Sequence, residues 1–208
     1  MRKSPLVSLL AGGLAAATLM TSTQALAYGA GDFFTRLGIA KVAPKSDNGS
    51  LAGGAFAADV QDENGFAFTL GYRFHDNLGV ELLAALPFEH DINLNGQNLA
   101  STKHLPPTLT LQYYPLGGTD WRVQPYVGAG INYTRFSSES SALGDLNLES
   151  SWGAAGQLGV DLLIDEHWAL NAAAWYIDID TDASLDGTPI GTVSIDPWVV
   201  MGGISFRY

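Results

Sequence analysis

Few residues in this 208-residue chain could do chemistry, and their spacing argues against most of it. Asp178-Ile179-Asp180-Thr181-Asp182 sets carboxylates at alternate positions, as a calcium loop begins. Such a loop needs glycine at its sixth position and glutamate at its twelfth; Ala183 and Pro189 stand there instead. A solvated acidic segment is the better reading. The four histidines, His75, His90, His104 and His167, lack zinc-ligand spacing. Ser101 and His104 could form a nucleophile and base, the pairing used by some lipid-modifying enzymes, but that pair must be held by a rigid frame. A long connection offers none, so no enzyme activity, metal or cofactor is expected. The glycines do not form a phosphate-cradling loop ahead of a helix.

The N-terminus reads as an address rather than structure. Arg2 and Lys3 precede an uncharged apolar stretch from Leu6 to Met20, and Ala25-Leu26-Ala27 supplies the small residues of a cleavage site. Residues 1–27 are therefore expected to be a cleaved signal, leaving 28–208 as one domain. The apolar stretch is short of the roughly 20 residues that span a bilayer as a helix, and no later run reaches that length. Cysteine is absent although export would permit disulfides, so something else must hold the fold together. The formal charge is −11 and becomes −13 without Arg2 and Lys3. An acidic chain of this kind repels nucleic acid, which is excluded as a partner.

The residues left over must be positioned by strands, because the dominant pattern has period two. In Gly65–Phe74, Phe66, Phe68, Leu70, Tyr72 and Phe74 share one side, against Ala67, Thr69, Gly71 and Arg73 on the other. A solvated face would carry Lys and Glu; this second face carries Gly and Ala. Large apolar residues facing lipid and small or polar ones facing a lumen is the pattern of a transmembrane barrel. Aromatics also gather at segment ends, as interfacial girdles require.

Eight such segments are expected: Asp32–Ala43, Gly65–Phe74, Leu78–Leu86, Pro107–Tyr114, Val123–Phe136, Ser150–Ile164, Trp168–Asp180 and Pro197–Tyr208. Most reach the ~9–11 residues that a tilted strand needs to cross hydrocarbon. Short connections at 75–77, 116–122 and 165–167 alternate with long ones at 45–64, 87–106, 137–149 and 181–196. The fold expected is all-β: an eight-stranded antiparallel transmembrane β-barrel with short periplasmic turns and long extracellular loops, in the outer membrane of a Gram-negative bacterium. The final segment ends on Tyr208, with Trp198, Val200, Gly202, Ile204 and Phe206 on the same face, the form such barrels present to their assembly machinery.

Several stretches carry a family likeness. Gly79-Val80-Glu81-Leu82-Leu83-Ala84-Ala85-Leu86-Pro87-Phe88, His104-Leu105-Pro106-Pro107-Thr108-Leu109 and Pro125-Tyr126-Val127-Gly128-Ala129-Gly130-Ile131-Asn132-Tyr133-Thr134 resemble the outer-membrane protein W (OmpW) family. So do Ser151-Trp152-Gly153-Ala154-Ala155-Gly156-Gln157, Trp175-Tyr176-Ile177-Asp178-Ile179-Asp180 and Asp196-Pro197-Trp198-Val199. The resemblance implies an eight-stranded barrel with a narrow hydrophobic channel associated with uptake of small hydrophobic molecules. Asp47–Gln61 departs most from the family.

Parity combined with strand direction maps the interior. Near the periplasmic end, Arg36, Arg73, Glu81, Gln112, Tyr126, Asp161, Asn171 and Arg207 should face inward and pair into a closed polar plug, since an unpaired buried charge is costly. Eight strands leave only enough room for side chains to fill. Higher up, Ala40, Leu83, Ala85, Ala155, Ala173, Trp175, Ile177, Val199 and Met201 are small or apolar, with Gly128, Gly130 and Gly153 beside them. Parity alone leaves two readings open, a pocket for apolar ligands or simple core packing; the resemblance implies the first.

A closed floor would require a sideways exit. Pro87 ends the third segment and Pro106-Pro107 opens the fourth, and prolines lack the ladder donor. These residues mark either a lateral gap into the bilayer or merely the end of pairing. Two functions result: a passive channel for small hydrophobic molecules, or a structural or receptor barrel whose loops bind partners such as phage or bacteriocins. Outer-membrane lipid and lipopolysaccharide are expected around it.

Overall fold

The computed structural model describes residues 29–85, 88–105 and 107–208, so the expected signal lies outside the described residues. Its strands are β1 (Phe33–Ala43), β2 (Ser50–Leu51), β3 (Phe56–Val60), β4 (Glu63–His75), β5 (Leu78–Ala85), β6 (Phe88–Leu94), β7 (Gln97–Leu105) and β8 (Thr108–Tyr113). They continue as β9 (Val123–Ser141), β10 (Leu146–Leu148), β11 (Ser151–Leu163), β12 (Trp168–Ile177), β13 (Asp180–Leu185), β14 (Thr188–Ser194) and β15 (Trp198–Arg207).

Eight of them close on themselves. The order β1-β4-β5-β8-β9-β11-β12-β15 returns to β1 through pairs such as Ala40↔Met201, and every neighbour is antiparallel. Closure leaves no edge strand, which is the only way a sheet can satisfy its backbone in hydrocarbon. Within a soluble fold the large residues would be the buried ones. Here Trp198, Val200 and Ile204 are 42–54% exposed, while Val199 and Met201 between them are 4% and 1% exposed. The greasy face is outside.

Aromatic pairs ring both ends of the wall. Phe33 and Tyr72 lie 4.5 Å apart between ring centres, Trp168 and Phe206 4.7 Å, and Phe206 and Tyr208 4.9 Å, all at the end holding the short turns. Tyr133–Trp152 at 4.8 Å and Tyr176–Trp198 at 5.4 Å mark the opposite end. Two such belts bound the lipid-facing band.

The interior needs glycine where a ring turns inward. A Cβ at Gly71 would lie 2.0 Å from the Phe34 ring, and one at Gly159 would lie 2.4 Å from the ring of Tyr126. Phe34 and Tyr126 fill the lumen through these two gaps.

The long connections are not irregular loops, as the sequence reading expected. β9 runs past the barrel rim and pairs with β7, which pairs with β6, then β3 and β2. β10, β13 and β14 form a second small sheet. The physical cause is local turn chemistry. Asn95-Gly96 and Asp186-Gly187 both take left-handed φ, at 52° and 79° and at 50° and 76°. Such a pair makes the tight hairpin turn whose twist matches its strands. Leu51, Ile92, Leu94, Leu148, Ala183 and Val193 are buried between the sheets, around a small apolar cavity of about 50 Å³.

Candidate functional site

Arg36 is the hub of the lower lumen. It projects inward from β1, fully buried, and sits over the rings of Phe34 and Tyr126 at 4.3 and 4.5 Å. Its Nη1 bonds Glu81 of β5, its Nη2 reaches Asp161 Oδ2 of β11 at 2.6 Å, and its Nε donates to Asp161 Oδ1 at 3.2 Å. Two carboxylates thus share one guanidinium, and neutral donors hold their other lone pairs. Gln157 Nε2 and Gln112 Nε2 donate to Glu81 Oε1 at 2.7 and 3.0 Å. Asn171 Nδ2 donates to Asp161 Oδ1 at 2.8 Å and to the Tyr126 hydroxyl at 2.9 Å. Tyr114 accepts from Arg36 at 3.2 Å and donates to Gln112 Oε1 at 2.6 Å. Buried charge is tolerable when it is paired and hydrogen-bonded in this way.

The other two arginines are anchored at the turn end rather than at this hub. Arg73 lies over the Tyr114 ring at 3.8 Å and bonds the Asp76 carbonyl. Arg207 bonds the Glu166 carbonyl and approaches Asp32 at 3.5 Å. The sequence reading paired all three arginines with the carboxylates. Arg73 and Arg207 stand at strand ends, where turn carbonyls are within reach.

Above the network the lining changes character. Leu83, Ala155, Ala173, Trp175, Ile177, Val199 and Met201 are all buried. Ala85 belongs to β5 by its backbone, and its side chain lies outside the described residues. One wall stays polar: Asn132 Nδ2 donates to Thr108 Oγ1 at 2.9 Å and accepts from Thr134 at 2.7 Å on Oδ1. Pro87 and Pro106 lie outside the described residues. Pro107 is described; its carbonyl accepts from Tyr133 N at 3.1 Å. Pairing between β5 and β8 runs from Leu78↔Tyr113 to Leu83↔Thr108.

The acidic stretch at 178–182 runs into the second outer sheet. Asp182 accepts from Thr192 at 2.7 Å, and among the described residues no group of three His, Cys, Asp or Glu side chains is placed to hold a metal. His90 and His104 fall on β6 and β7, in register with Thr102 and Phe88.

A closed eight-stranded wall, two aromatic belts and an inward charged hub are common to many small barrels; the sequence match is specific. The model of the OmpW family matches residues 29–208. The chain belongs to the OmpW family. It is 43% identical to outer membrane protein W of Escherichia coli K12 over 204 residues, covering 93% of this chain and 96% of the relative. The crystal structure of OprG from Pseudomonas aeruginosa superimposes with a TM-score of 0.79 at 40% identity, covering 89% of this chain and 99% of that one. The dibenzothiophene metabolism operon protein DoxH of Pseudomonas sp. strain C18 is 31% identical over 62% of each chain. This OmpW-family barrel therefore resides in the bacterial outer membrane, embedded in lipid, and belongs to a non-enzymatic family.

Three network members escaped the sequence reading. Gln157 and Thr110 share the parity of Asp161 and Gln112 and could have been found by it. Tyr114 lies just beyond the end of β8; Phe34, also not placed by parity, faces inward beside Tyr126, which parity did place there.

At the outer rim of this OmpW-family barrel, Lys45 Nζ binds Asp196 at 2.8 Å and Asp196 also accepts from Ile179 N at 3.0 Å, tying β13 and β14 to the barrel. Burial opposes ionisation of Asp196, but Lys45 and the Ile179 amide outweigh it and hold the carboxyl below the usual range. Burial and then the charges of Asp196 and Asp180 push Asp178 up. The signs are opposite. The contribution of Asp196 is present above the ordinary carboxylate range and is lost as pH falls through its lowered pKa. That of Asp178 is present below that range and lost as pH rises through its raised pKa. Lys45→Met should move the Asp196 titration to higher pH in a ¹³C-carboxyl NMR titration; an unmoved Asp196 would break the tether.

Proposed function

We propose that this barrel is a passive channel for small hydrophobic molecules, closed toward the periplasm by the Arg36 network. The observation that carries this reading is the change of lining along one lumen: buried apolar side chains from Leu83 to Ile177 stand directly above a fully paired charged layer. An apolar path with few polar groups suits an apolar ligand. DoxH bears a name tied to dibenzothiophene metabolism, and an apolar fused-ring molecule suits this lining. In this reading Arg36, Arg73, Glu81, Gln112, Asp161, Asn171 and Arg207 form the plug, lipopolysaccharide surrounds the outer sheets, and residues 1–27 are the export signal.

Leu83→Asp tests the proposal. A carboxylate among apolar groups should lower uptake of a labelled apolar probe into proteoliposomes at least tenfold, about 1.4 kcal/mol, while the folded band on unheated gels persists. Unchanged uptake would leave a structural or receptor barrel.

The closed floor calls for a sideways exit between β5 and β8, near Pro87, Pro106 and Pro107. Leu82→Cys with Leu109→Cys joins registered partners on the outer wall. Oxidation should slow uptake and reduction restore it; equal rates in both states would remove the lateral exit.

A further inference from the structure

Trp121, Trp152, Trp168 and Trp198 all point outward, whereas Trp175 is fully buried inside the barrel. Among the described residues its indole N–H has no hydrogen-bond acceptor. Its registered neighbours do not supply one. Val199 on β15 has an apolar side chain, and Gln157 on β11 is already committed. Gln157 Oε1 accepts from Thr110 at 2.9 Å and Gln112 at 3.0 Å, and its Nε2 donates to Glu81. On β4, separated from β12 by β15 and β1, the buried Thr69 hydroxyl is likewise without a partner among the described residues. On the two strands between them Ala40, Val199 and Met201 are buried, and Thr69 itself is registered with Arg36 of the charged layer.

A buried donor without an acceptor is expensive. A lumen built only for hydrocarbon would be served better by phenylalanine at 175 and valine at 69, which fill similar space without the penalty. We propose that the upper lumen takes an amphiphile: a small apolar molecule carrying one hydrogen-bond-accepting oxygen. The oxygen accepts from Trp175 Nε1–H, the hydrocarbon lies along Ala40, Val199 and Met201, and the Thr69 hydroxyl serves a second polar atom or a bridging water. The proposal rests on the channel reading and narrows its ligand class from any hydrophobic molecule to an oxygenated one.

Two probes of matched length separate the cases, 2-nonanone, which accepts a hydrogen bond, and n-nonane, which does not. The protein purified from outer membranes is placed in lipid nanodiscs with ¹⁵N-indole and ¹³C-methyl-methionine labels. Met201 is the one methionine among the described residues, so its methyl resonance reports occupancy by either probe. Trp175 is assigned by its loss in Trp175→Phe. The expected result is a Met201 response to both probes, a downfield Trp175 N–H shift with nonanone alone, and about tenfold tighter apparent binding of nonanone. That ratio should fall to about one in Trp175→Phe and to an intermediate value in Thr69→Val.

Equal affinities with an indifferent Trp175 N–H would mean that water alone satisfies the indole, and would overturn the proposal. A ratio unchanged in both variants would do the same. If Met201 responds to neither probe, the channel reading itself fails and takes this inference with it.

Discussion

Arg36→Met should destabilise the folded barrel by about 3–5 kcal/mol, the cost of breaking a buried ion pair from one side. The reason is what remains behind rather than what is removed. Glu81 and Asp161 would both stay at zero side-chain exposure without the cation between them. Gln157, Gln112 and Asn171 would still donate to them, but an amide dipole does not neutralise a carboxylate. The triple variant Arg36→Met, Glu81→Gln, Asp161→Asn should recover most of the loss, because neutral amides of nearly the same shape replace the charges. Urea titration in lipid vesicles, followed by gel mobility, measures both. Lys41→Met supplies the surface comparison: Lys41 pairs with Asp62 at 2.8 Å with both side chains about half exposed, and its loss should cost about 0.2–1 kcal/mol. Arg36→Met no worse than Lys41→Met would mean that the network carries little energy.

Sequence parity reached the individual members of this network but not their meeting. Arg36 and Asp161 are 125 residues apart, and only the closure of β1 onto β15 and the stagger of the strands decide that they converge. Parity was informative because a one-residue slip would exchange faces along a whole strand. It therefore sorted Val199 from Val200 and Leu83 from Leu82 without any structure. It was less informative where size and environment part company: Phe34 and Tyr114 are large rings that face inward although rings elsewhere on the wall face lipid, Phe34 lying over Gly71 of the neighbouring strand. The outer sheets were legible in principle. Asn95-Gly96 and Asp186-Gly187 are strong hairpin signals, but a long polar stretch between two membrane strands invites the reading of an irregular loop. Where Arg73 and Arg207 find their partners could not be read at all, since backbone carbonyls of a turn leave no trace in the pattern of side chains.

Leu158→Arg should cost about 2–4 kcal/mol if the wall faces lipid, falling to about 0–1 kcal/mol for an arginine placed near an interface. Leu158 sits near the middle of β11, registered against Val127 and Ala174, and is 55% exposed. Exposure of that degree makes the substitution a sharp discriminator. On a water-facing surface a half-exposed leucine replaced by arginine changes stability by no more than about 0.5 kcal/mol. In hydrocarbon the same side chain must carry its charge to the headgroups or draw water inward. Trp121→Arg, in the connection between β8 and β9, is the depth control, because it sits beyond the strand ends and should lie within the shallow range. The two substitutions differ in depth and hardly in exposure, so a large difference between their urea midpoints in vesicles can arise only from the surrounding solvent. Equal and small costs would require the wall at Leu158 to be wet, and neither the apolar exterior nor the two aromatic belts would then have a physical cause.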